Sequence, residues 1–361
     1  MNSMKLLAGT SKGLVIYERK ASGWELSDIQ FTGFPVSMLF VDTRNGYWWV
    51  GVSHRHWGQK LHYSTDEGKS WESVPTPSYR DYEYRPGKKV PLKKIWVMQS
   101  AGDDKPDCLW LGTEPGGLFY SEDNGKSFEL VEGLWNHPSR MNDMEWFGAG
   151  KDYPFIHSIV VNPQNSDHVY IGVSCAGVFE TKDAGKNWLP KNNGLRAAYL
   201  PNPKAEVGHD PHLLLMNQDN PQVIWQQNHC GIFRTDDAGE NWFDVSGKDQ
   251  FPYYGFALAI GDDEKTAWVI PAESDEKRIP KDLELAVYKT ADSGKSWQAQ
   301  LNGLPKPPVF EIVLRHSFVR KDKTLAFGTN NGNLYLSENE GENWFNLSNH
   351  LTSVNFLLLT N

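Results

Sequence analysis

The sequence predicts an all-β protein built from repeated four-stranded blades, and two features support this fold class. A short motif occurs six times: Ser or Thr, any residue, Asp or Asn, any residue, Gly, two residues, and then Trp or Phe. The glycines of successive copies are 47 to 60 residues apart: Gly68, Gly125, Gly185, Gly239, Gly294 and Gly341. That period is too long for a helical solenoid and suits a unit of four short strands.

Each position of the motif has a role in a tight hairpin turn, as the first copy, Ser64 to Trp71, illustrates. The carboxylate of Asp66 can accept hydrogen bonds from the backbone of the turn, and Gly68 can adopt a positive φ angle. Trp71 begins the next strand and is expected to pack between blades. A calcium loop would need a denser run of oxygen ligands. We therefore interpret the motif as a structural turn.

The segments between the motif copies follow one template of four strands per blade. In the second blade the template predicts strands at Val36–Asp42, Tyr47–Ser53, Lys60–Thr65 and Trp71–Pro75. Second strands of the later blades are predicted at Leu109–Glu114, Val169–Ser174, Val223–Asn228, Ala267–Ala272 and Leu325–Asn330. Alternation of apolar and polar residues in these runs is the signal of a strand. No helix is predicted.

The first blade lacks both a motif copy and an inner strand. Leu6–Thr10 resembles a second strand and Gly13–Glu18 a third, whereas Arg19 to Ser22 stands where the motif would be. The C-terminal run Val354–Leu359 is the natural inner strand, because its pairing with Leu6–Thr10 would remove two exposed sheet edges. The sequence therefore predicts seven blades in a ring closed by the C-terminal strand, with residues 1–361 forming a single domain.

The composition of the chain indicates which partners to expect and in which cellular compartment the protein resides. The net charge is -9 and no basic run occurs, so no nucleic acid is expected as a partner. No apolar stretch approaches the length of a membrane span, and the N-terminus lacks the apolar run of a signal peptide. The three cysteines lie in separate predicted blades, which suits a reducing compartment. We therefore expect a cytoplasmic protein that does not associate with membranes.

The repeated motif resembles the Asp box of BNR repeats, which occur in sialidases, sortilin-type receptors and photosystem II assembly factors. A closer resemblance is to bacterial BNR-repeat proteins commonly labelled sialidase-like or glycosyl hydrolase, through the stretches Gly133 to Arg140, Gln226 to Gly231 and Pro271 to Glu273. The resemblance covers nearly the whole chain and implies a seven-bladed β-propeller of four-stranded blades. It does not by itself imply the chemistry.

The template also predicts which residues gather at the mouth of the central channel. One position near the start of each inner strand reads Ser37, Trp96, His157, His212, Phe256, Glu311 and Asn355. The loops between second and third strands add His54, His56, Glu114, Cys175, His229 and Glu273, and His209 precedes His212. Because function is expected on this face, we predict a funnel of His, Glu and Arg side chains.

A metal site is one hypothesis for this funnel. Imidazoles of His157, His212 and His229, from adjacent blades, could bind zinc or a similar divalent ion and leave one position for a water. Glu114, Glu311 or His209 would be an outer or fourth partner. The alternative is that these histidines only form hydrogen bonds with one another, with water and with backbone carbonyls.

Glycoside hydrolysis is a second hypothesis, and it follows from the resemblance. Sialidase chemistry requires arginines that bind a carboxylate, an acidic residue and an activated tyrosine. The candidate catalytic residues are Glu114, Glu311, His209, Arg196 and Tyr199. The candidate ligand-binding residues are His54, His56, Arg140, Cys175, Glu273 and Arg315. The sequence departs from the sialidase pattern, because its Arg278-Ile279-Pro280 lies in an insertion of the sixth blade rather than before the first motif copy.

Two classes of function remain open at this point. The first is an enzyme or binding protein for a carbohydrate or other small molecule, which the ionisable residues of the funnel favour. The second is a noncatalytic propeller that binds a protein partner through its long, aromatic-rich connections.

Overall fold

Seven four-stranded antiparallel sheets form the blades of a seven-bladed β-propeller in the computed structural model. The structure describes residues 3–54, 56–141, 145–148, 150–247 and 251–361. Blade 1 contains strands β1 (Lys5–Thr10), β2 (Gly13–Lys20), β3 (Gly23–Gln30) and β28 (Val354–Thr360). Blades 2 and 3 contain β4 (Val36–Asp42), β5 (Tyr47–His54), β6 (Gly58–Ser64), β7 (Glu72–Val74), β8 (Lys94–Ser100), β9 (Leu109–Glu114), β10 (Leu118–Ser121) and β11 (Glu129–Leu130).

The remaining four blades repeat the same order of strands. Blades 4 and 5 contain β12 (Ile156–Asn162), β13 (Asn165–Val173), β14 (Gly177–Thr181), β15 (Leu189–Pro190), β16 (Pro211–Met216), β17 (Ile224–Asn228), β18 (Gly231–Thr235) and β19 (Phe243–Asp244). Blades 6 and 7 contain β20 (Gly255–Ile260), β21 (Ala267–Pro271), β22 (Val287–Thr290), β23 (Gln298–Gln300), β24 (Val313–Lys321), β25 (Thr324–Thr329), β26 (Leu334–Ser337) and β27 (Phe345–Ser348).

Helical structure is confined to short connections. Glu132–Trp135 forms one turn of α-helix (α1), and Pro138–Met141 and Lys281–Leu283 form 3-10 turns. No helix among the described residues has the length and apolar character needed to cross a membrane.

The C-terminal strand completes blade 1, as the sequence predicted. Strand β28 lies beside β1 in antiparallel register, with Lys5 opposite Thr360 and Leu7 opposite Leu358. Leu6 and Leu359 are both buried in the core that these strands share. The strand order β28-β1-β2-β3 therefore joins the two ends of the chain in one sheet.

The repeated motif forms the turns that the sequence predicted. In the first copy, the N–H of Gly68 donates to Ser64 Oγ at 2.8 Å, and the N–H of Ser70 donates to Asp66 Oδ1 at 2.9 Å. Gly68 has a φ of 82°, and Glu67 before it also has a positive φ, of 59°. The second left-handed residue is a feature that the sequence reading missed, because a non-glycine residue seldom adopts this conformation.

Burial of the second strands differs from the predicted alternation. Every residue of β9 is buried, as is every residue of β17, β21 and β25. The reason is that both faces of such a strand are covered: Trp110 of β9 packs in one cluster with Ile156 and Ile171 of blade 4. Apolar and polar residues do not alternate regularly along a strand when neither face of its sheet contacts water.

The chain divides into two compact units, and the division cuts through strands rather than linkers. The first comprises Met1–Leu39, Trp225–Arg234 and Asp244–Asn361, and it contains the whole of blades 1, 6 and 7. The second comprises Phe40–Ile224 and Thr235–Phe243, and it contains the whole of blades 3 and 4. That residues 1–361 form a single domain stays a prediction.

Candidate functional site

The predicted funnel residues lie where second strands end and inner strands begin. Lys94, the first residue of β8, is paired with Glu114, the last residue of β9. His157 lies in β12 and His212 in β16, whereas Glu311 lies two residues before β24 begins. The template therefore placed His157 and His212 correctly on inner strands. It also placed Glu311 on an inner strand, whereas Glu311 precedes that strand.

Asp210 is the centre of a buried polar cluster that the sequence reading did not single out. Its Oδ1 accepts hydrogen bonds from Ser174 Oγ at 2.7 Å and from the N–H of Cys175 at 3.1 Å. Its Oδ2 lies 3.2 Å from His212 Nε2. Asp210, His212 and Ser174 are 2%, 1% and 0% exposed. Because a buried charge needs several partners, these contacts hold the carboxylate in one position.

His229 follows the last residue of β17 and has partners in the first unit. Its Nε2 lies 3.7 Å from Asp275 Oδ2, and its ring lies edge-on to Tyr254 at 5.5 Å between centroids. In the second unit, the imidazole of His212 and the carboxylate of Asp210 are donors that suit zinc or a similar divalent ion. That His157 and His229 join His212 as metal ligands stays a prediction.

His157 and His209 are both buried, and each has a hydrogen-bond partner of its own. His157 Nδ1 lies 2.8 Å from Ser158 Oγ, which also accepts a hydrogen bond from the N–H of Leu214. His209 Nε2 donates to the carbonyl oxygen of Ala205 at 2.7 Å. Burial lowers the pKa of His209, which favours the neutral imidazole. A role for either histidine in catalysis or metal binding stays a prediction.

Glu114 ends β9 in a setting that favours the protonated carboxylic acid. The side chain is 8% exposed, and its Oε2 accepts a hydrogen bond from Trp96 Nε1 at 3.4 Å. Burial raises the pKa of Glu114, whereas the charge of Lys151, the hydrogen bond from Trp96 and the charge of Lys94 lower it, and the charge of Asp152 adds a small further rise. The ring of Trp96 is held by stacking on Phe155 at 4.1 Å between centroids.

Arg140 is buried among aromatic rings instead of facing an open funnel. Its guanidinium carbon lies 3.3 Å from the centroid of a Trp135 ring, and its Nη1 donates to the carbonyl of Trp135. Nη2 donates to the carbonyl of Tyr84 at 3.3 Å. Burial, together with the nearby charge of Arg85, lowers the pKa of Arg140 to about 10. At 1% exposure, this arginine anchors the connection between blades 3 and 4.

Four other predicted residues lie at more exposed positions of the second unit. Tyr199 donates to the carbonyl of Gly208 at 3.0 Å and is 39% exposed, and Arg196 nearby is exposed as well. His54 Nδ1 accepts hydrogen bonds from the N–H groups of His56 and Trp57. These contacts hold the backbone N–H groups of His56 and Trp57 against the His54 ring.

Cys175 has backbone geometry that sets it apart from an ordinary loop residue. It is 3% exposed and has a φ of 54°, a left-handed conformation that is uncommon for cysteine. Its N–H is one of the donors to Asp210. Cys175 therefore shapes the turn around this carboxylate through its backbone, and a ligand-binding role for its thiol stays a prediction.

The predicted residues of the first unit have local partners. Glu311 Oε2 accepts hydrogen bonds from Thr329 Oγ1 at 2.6 Å and Asn333 Nδ2 at 2.7 Å. Glu273 Oε2 lies 3.6 Å from Lys281 Nζ. The guanidinium of Arg315 lies 5.2 Å from the ring centroid of Phe256. Glu311 is thus held as a buried acceptor, whereas Glu273 remains half-buried.

No protein-family model matches the chain. A probable oligoxyloglucan-reducing end-specific xyloglucanase of Neosartorya fischeri is 24% identical over 235 residues, which cover 56% of this chain and 26% of that protein. The oligoxyloglucan-reducing end-specific xyloglucanase of Emericella nidulans is 22% identical over 268 residues, covering 65% of this chain and 30% of that protein. The chain therefore spans less than a third of the length of these curated relatives.

Solved structures share the fold over almost the whole chain. The periplasmic gluconolactonase PpgL of Pseudomonas aeruginosa has a TM-score of 0.61 at 12% identity, covering 99% of each chain. An ancestral GH74 enzyme has a TM-score of 0.58 at 15% identity, covering 99% of this chain and 40% of that one. YCF48 bound to D1 peptide has a TM-score of 0.51 at 13% identity, covering 91% and 85%. Together, the comparisons identify a β-propeller with weak similarity to glycosyl hydrolases.

Proposed function

We propose that this chain hydrolyses a glycosidic bond of an oligosaccharide, with Glu114 as the general acid. The observation that carries the proposal is the environment of Glu114: a carboxyl group at the end of a second strand, under Trp96, with a raised pKa. The weak similarity to two xyloglucanases supports carbohydrate as the substrate class. That this chain shares the glycosidase activity of those longer proteins is part of this proposal.

Hydrolysis of a glycosidic bond needs two carboxyl groups in opposite protonation states. Burial raises the pKa of Glu114, which favours the acid that donates its proton to the leaving oxygen of the sugar. Asp152 is the candidate for the second carboxyl group, because it is exposed and its charge acts on Glu114. Asp152 would stabilise the positive charge of the sugar ring or activate the water whose hydroxyl joins the sugar. The remaining proton of the water passes to Asp152 or to solvent, and Glu114 regains a proton from solvent.

The test uses purified protein with xyloglucan oligosaccharides and a panel of other oligosaccharides. Glu114→Gln and Asp152→Asn should each lower kcat by at least a hundredfold, since general acid catalysis contributes about 10²–10⁴. In the wild type, the rate should fall as pH rises through the raised pKa of Glu114. Glu180→Gln is the matched control: it replaces a buried glutamate outside the site and should keep its activity where it remains folded.

Two outcomes would count against the proposal. If Glu114→Gln hydrolyses as fast as wild type, the residue is not the acid. If the wild type binds oligosaccharides without cleaving them, the chain is a carbohydrate-binding propeller, and the xyloglucanase similarity reflects a shared scaffold.

We also propose that Asp210 and His212 bind a divalent cation. Zinc–nitrogen distances of about 2.0–2.1 Å bring ligands of one ion to about 3.3 Å from one another. Asp210 Oδ2 and His212 Nε2 lie 3.2 Å apart, which suits two ligands of one ion. Elemental analysis of protein purified without chelators should find about one zinc or similar ion per chain. Protein that never takes up metal, even when dialysed against zinc, would leave the cluster as a structural hydrogen-bond network.

A further inference from the structure

A cavity lies between the outer strands of blade 2 and the connection to blade 3, apart from the residues of the proposed hydrolytic and metal sites. Its volume is about 860 Å³, and its lining includes Trp57, Gln59, Lys60, Tyr79, Arg80 and Lys89. This volume lies in the range of small-molecule sites. All of these residues belong to the second unit.

The charge of this cavity is opposite to that of the protein as a whole. Lys60, Arg80 and Lys89 contribute three positive charges, and none of its lining residues is Asp or Glu, in a chain of net charge -9. Lys89 Nζ donates to the carbonyl of Arg80 at 2.9 Å. Among the described residues, these three side chains form no ion pair, so their charges are available to an anion.

The acidic residues closest in sequence do not neutralise the cavity. Glu83 accepts a hydrogen bond from the N–H of Gly87, and Glu72 accepts one from Tyr63 Oη at 2.7 Å. Neither they nor Asp81 line the cavity. The positive field therefore persists where a ligand would sit, with apolar walls that strengthen it.

An exposed indole suits a sugar ring as the body of that anion. Trp57 is 72% exposed, and its backbone N–H donates to His54 Nδ1 at 3.1 Å, which holds the residue that carries the exposed ring. Gln59 is also fixed, because its Nε2 donates to the carbonyl of Lys93 and its Oε1 accepts from Ser53 Oγ, both at 2.9 Å. An amphipathic indole can pack on the C–H face of a pyranose while hydroxyl and amide groups bind its edges.

We propose that this cavity binds an acidic oligosaccharide, one whose uronate carboxylates pair with Lys60, Arg80 and Lys89 and whose ring packs on Trp57. Binding here does not require the hydrolytic step proposed for Glu114. The cavity adjoins that region through Tyr79, whose hydroxyl lies 2.5 Å from Thr113 Oγ1, one residue before Glu114.

The test measures affinity by calorimetry with an oligogalacturonate, a neutral oligoglucose of equal length, inorganic phosphate and an acidic peptide. We expect the oligogalacturonate to bind most tightly and its affinity to fall as salt concentration rises, because salt screens exposed charges. Lys60→Gln, Arg80→Gln and Lys89→Gln should each weaken binding about three- to fivefold. Trp57→Ala should weaken it by about tenfold, and Lys126→Gln, at an exposed lysine of another blade, should not.

Each other outcome overturns the proposal. Equal affinity for phosphate would mean that the cations bind any anion, and tighter binding of the peptide would mean a protein partner. Binding that survives the four substitutions would place the sugar elsewhere. Since the Glu114→Gln variant should bind oligogalacturonate normally at this cavity, failure here and failure of the hydrolytic proposal give separate results.

Discussion

Replacing Asp237 with alanine tests the role of the repeated turn motif. The carboxylate accepts hydrogen bonds from Thr235 Oγ1 at 2.7 Å, from the N–H of Asn241 at 2.9 Å and from Asn241 Nδ2 at 2.8 Å. Each such bond contributes about 0.5–1.5 kcal/mol net, and the values at a partly exposed turn lie near the lower end. Asp237→Ala should therefore lower the free energy of unfolding by about 1–2 kcal/mol.

The chain itself supplies the matched control for this experiment. The sixth copy of the motif has Asn339, whose Oδ1 accepts hydrogen bonds from Ser337 Oγ and from the N–H of Asn343. Asp237→Asn can keep both bonds to Oδ1 and loses the bond from Asn241 Nδ2, one of three, so about a third of the destabilisation is expected. Urea denaturation followed by tryptophan fluorescence measures all three proteins. An alanine variant as stable as wild type would refute the structural role of the carboxylate.

Three further predictions concern acid stability, the closing strand and the proposed metal site. Burial would raise the pKa of Glu180, but hydrogen bonds from His168 and Tyr170 and the charge of Lys191 lower it to about 2. The stability that Glu180 contributes is therefore complete above its unfolded pKa of about 4.3 and is lost towards pH 2. Urea titrations should show that the difference in unfolding free energy between wild type and Glu180→Gln shrinks as pH falls. A difference that stays constant would contradict this prediction. Deletion of residues 354–361 removes the partner of Lys5–Thr10, so the truncated protein should be found in the insoluble fraction, and a soluble, folded truncation would contradict closure. Zinc should raise the melting temperature of wild type but not of His212→Ala in thermal shift assays, and an equal rise in both would exclude His212 as a ligand.

The repeat allowed most of the fold to be predicted, because its signals are local in sequence. Leu109–Glu114 was predicted with its observed bounds, and Val354–Leu359 was predicted as the closing strand one residue short of its end. The turn motif carries its own hydrogen-bonding groups within a few residues, so its hydrogen bonds can be predicted from a single copy, whereas the positive φ of Glu67 was not predicted.

The candidate site could be predicted only in part, because its contacts join distant segments. His212 was singled out from its position in the repeat, whereas Asp210 stands two residues earlier and is recognisable only when Ser174 and Cys175 are seen to donate to it. Arg140 was predicted to contact a ligand, and only the folded chain shows that Trp135 and Tyr84 enclose it; its ligand contact stays a prediction. Asp152 has no sequence signal beyond being acidic, and only folding brings its charge to Glu114.

The pairing of β1 with β28 in blade 1 has a consequence for the order of events during synthesis on the ribosome. Strand β1 is translated long before its inner neighbour β28, which emerges only after residues 354–360 have been translated. Throughout that interval one edge of β1 lacks its strand partner, and Leu6 and Leu7, both buried in the finished sheet, lack part of their cover. A nascent chain stalled before residue 354 should therefore be a preferred client of chaperones that recognise exposed apolar strands.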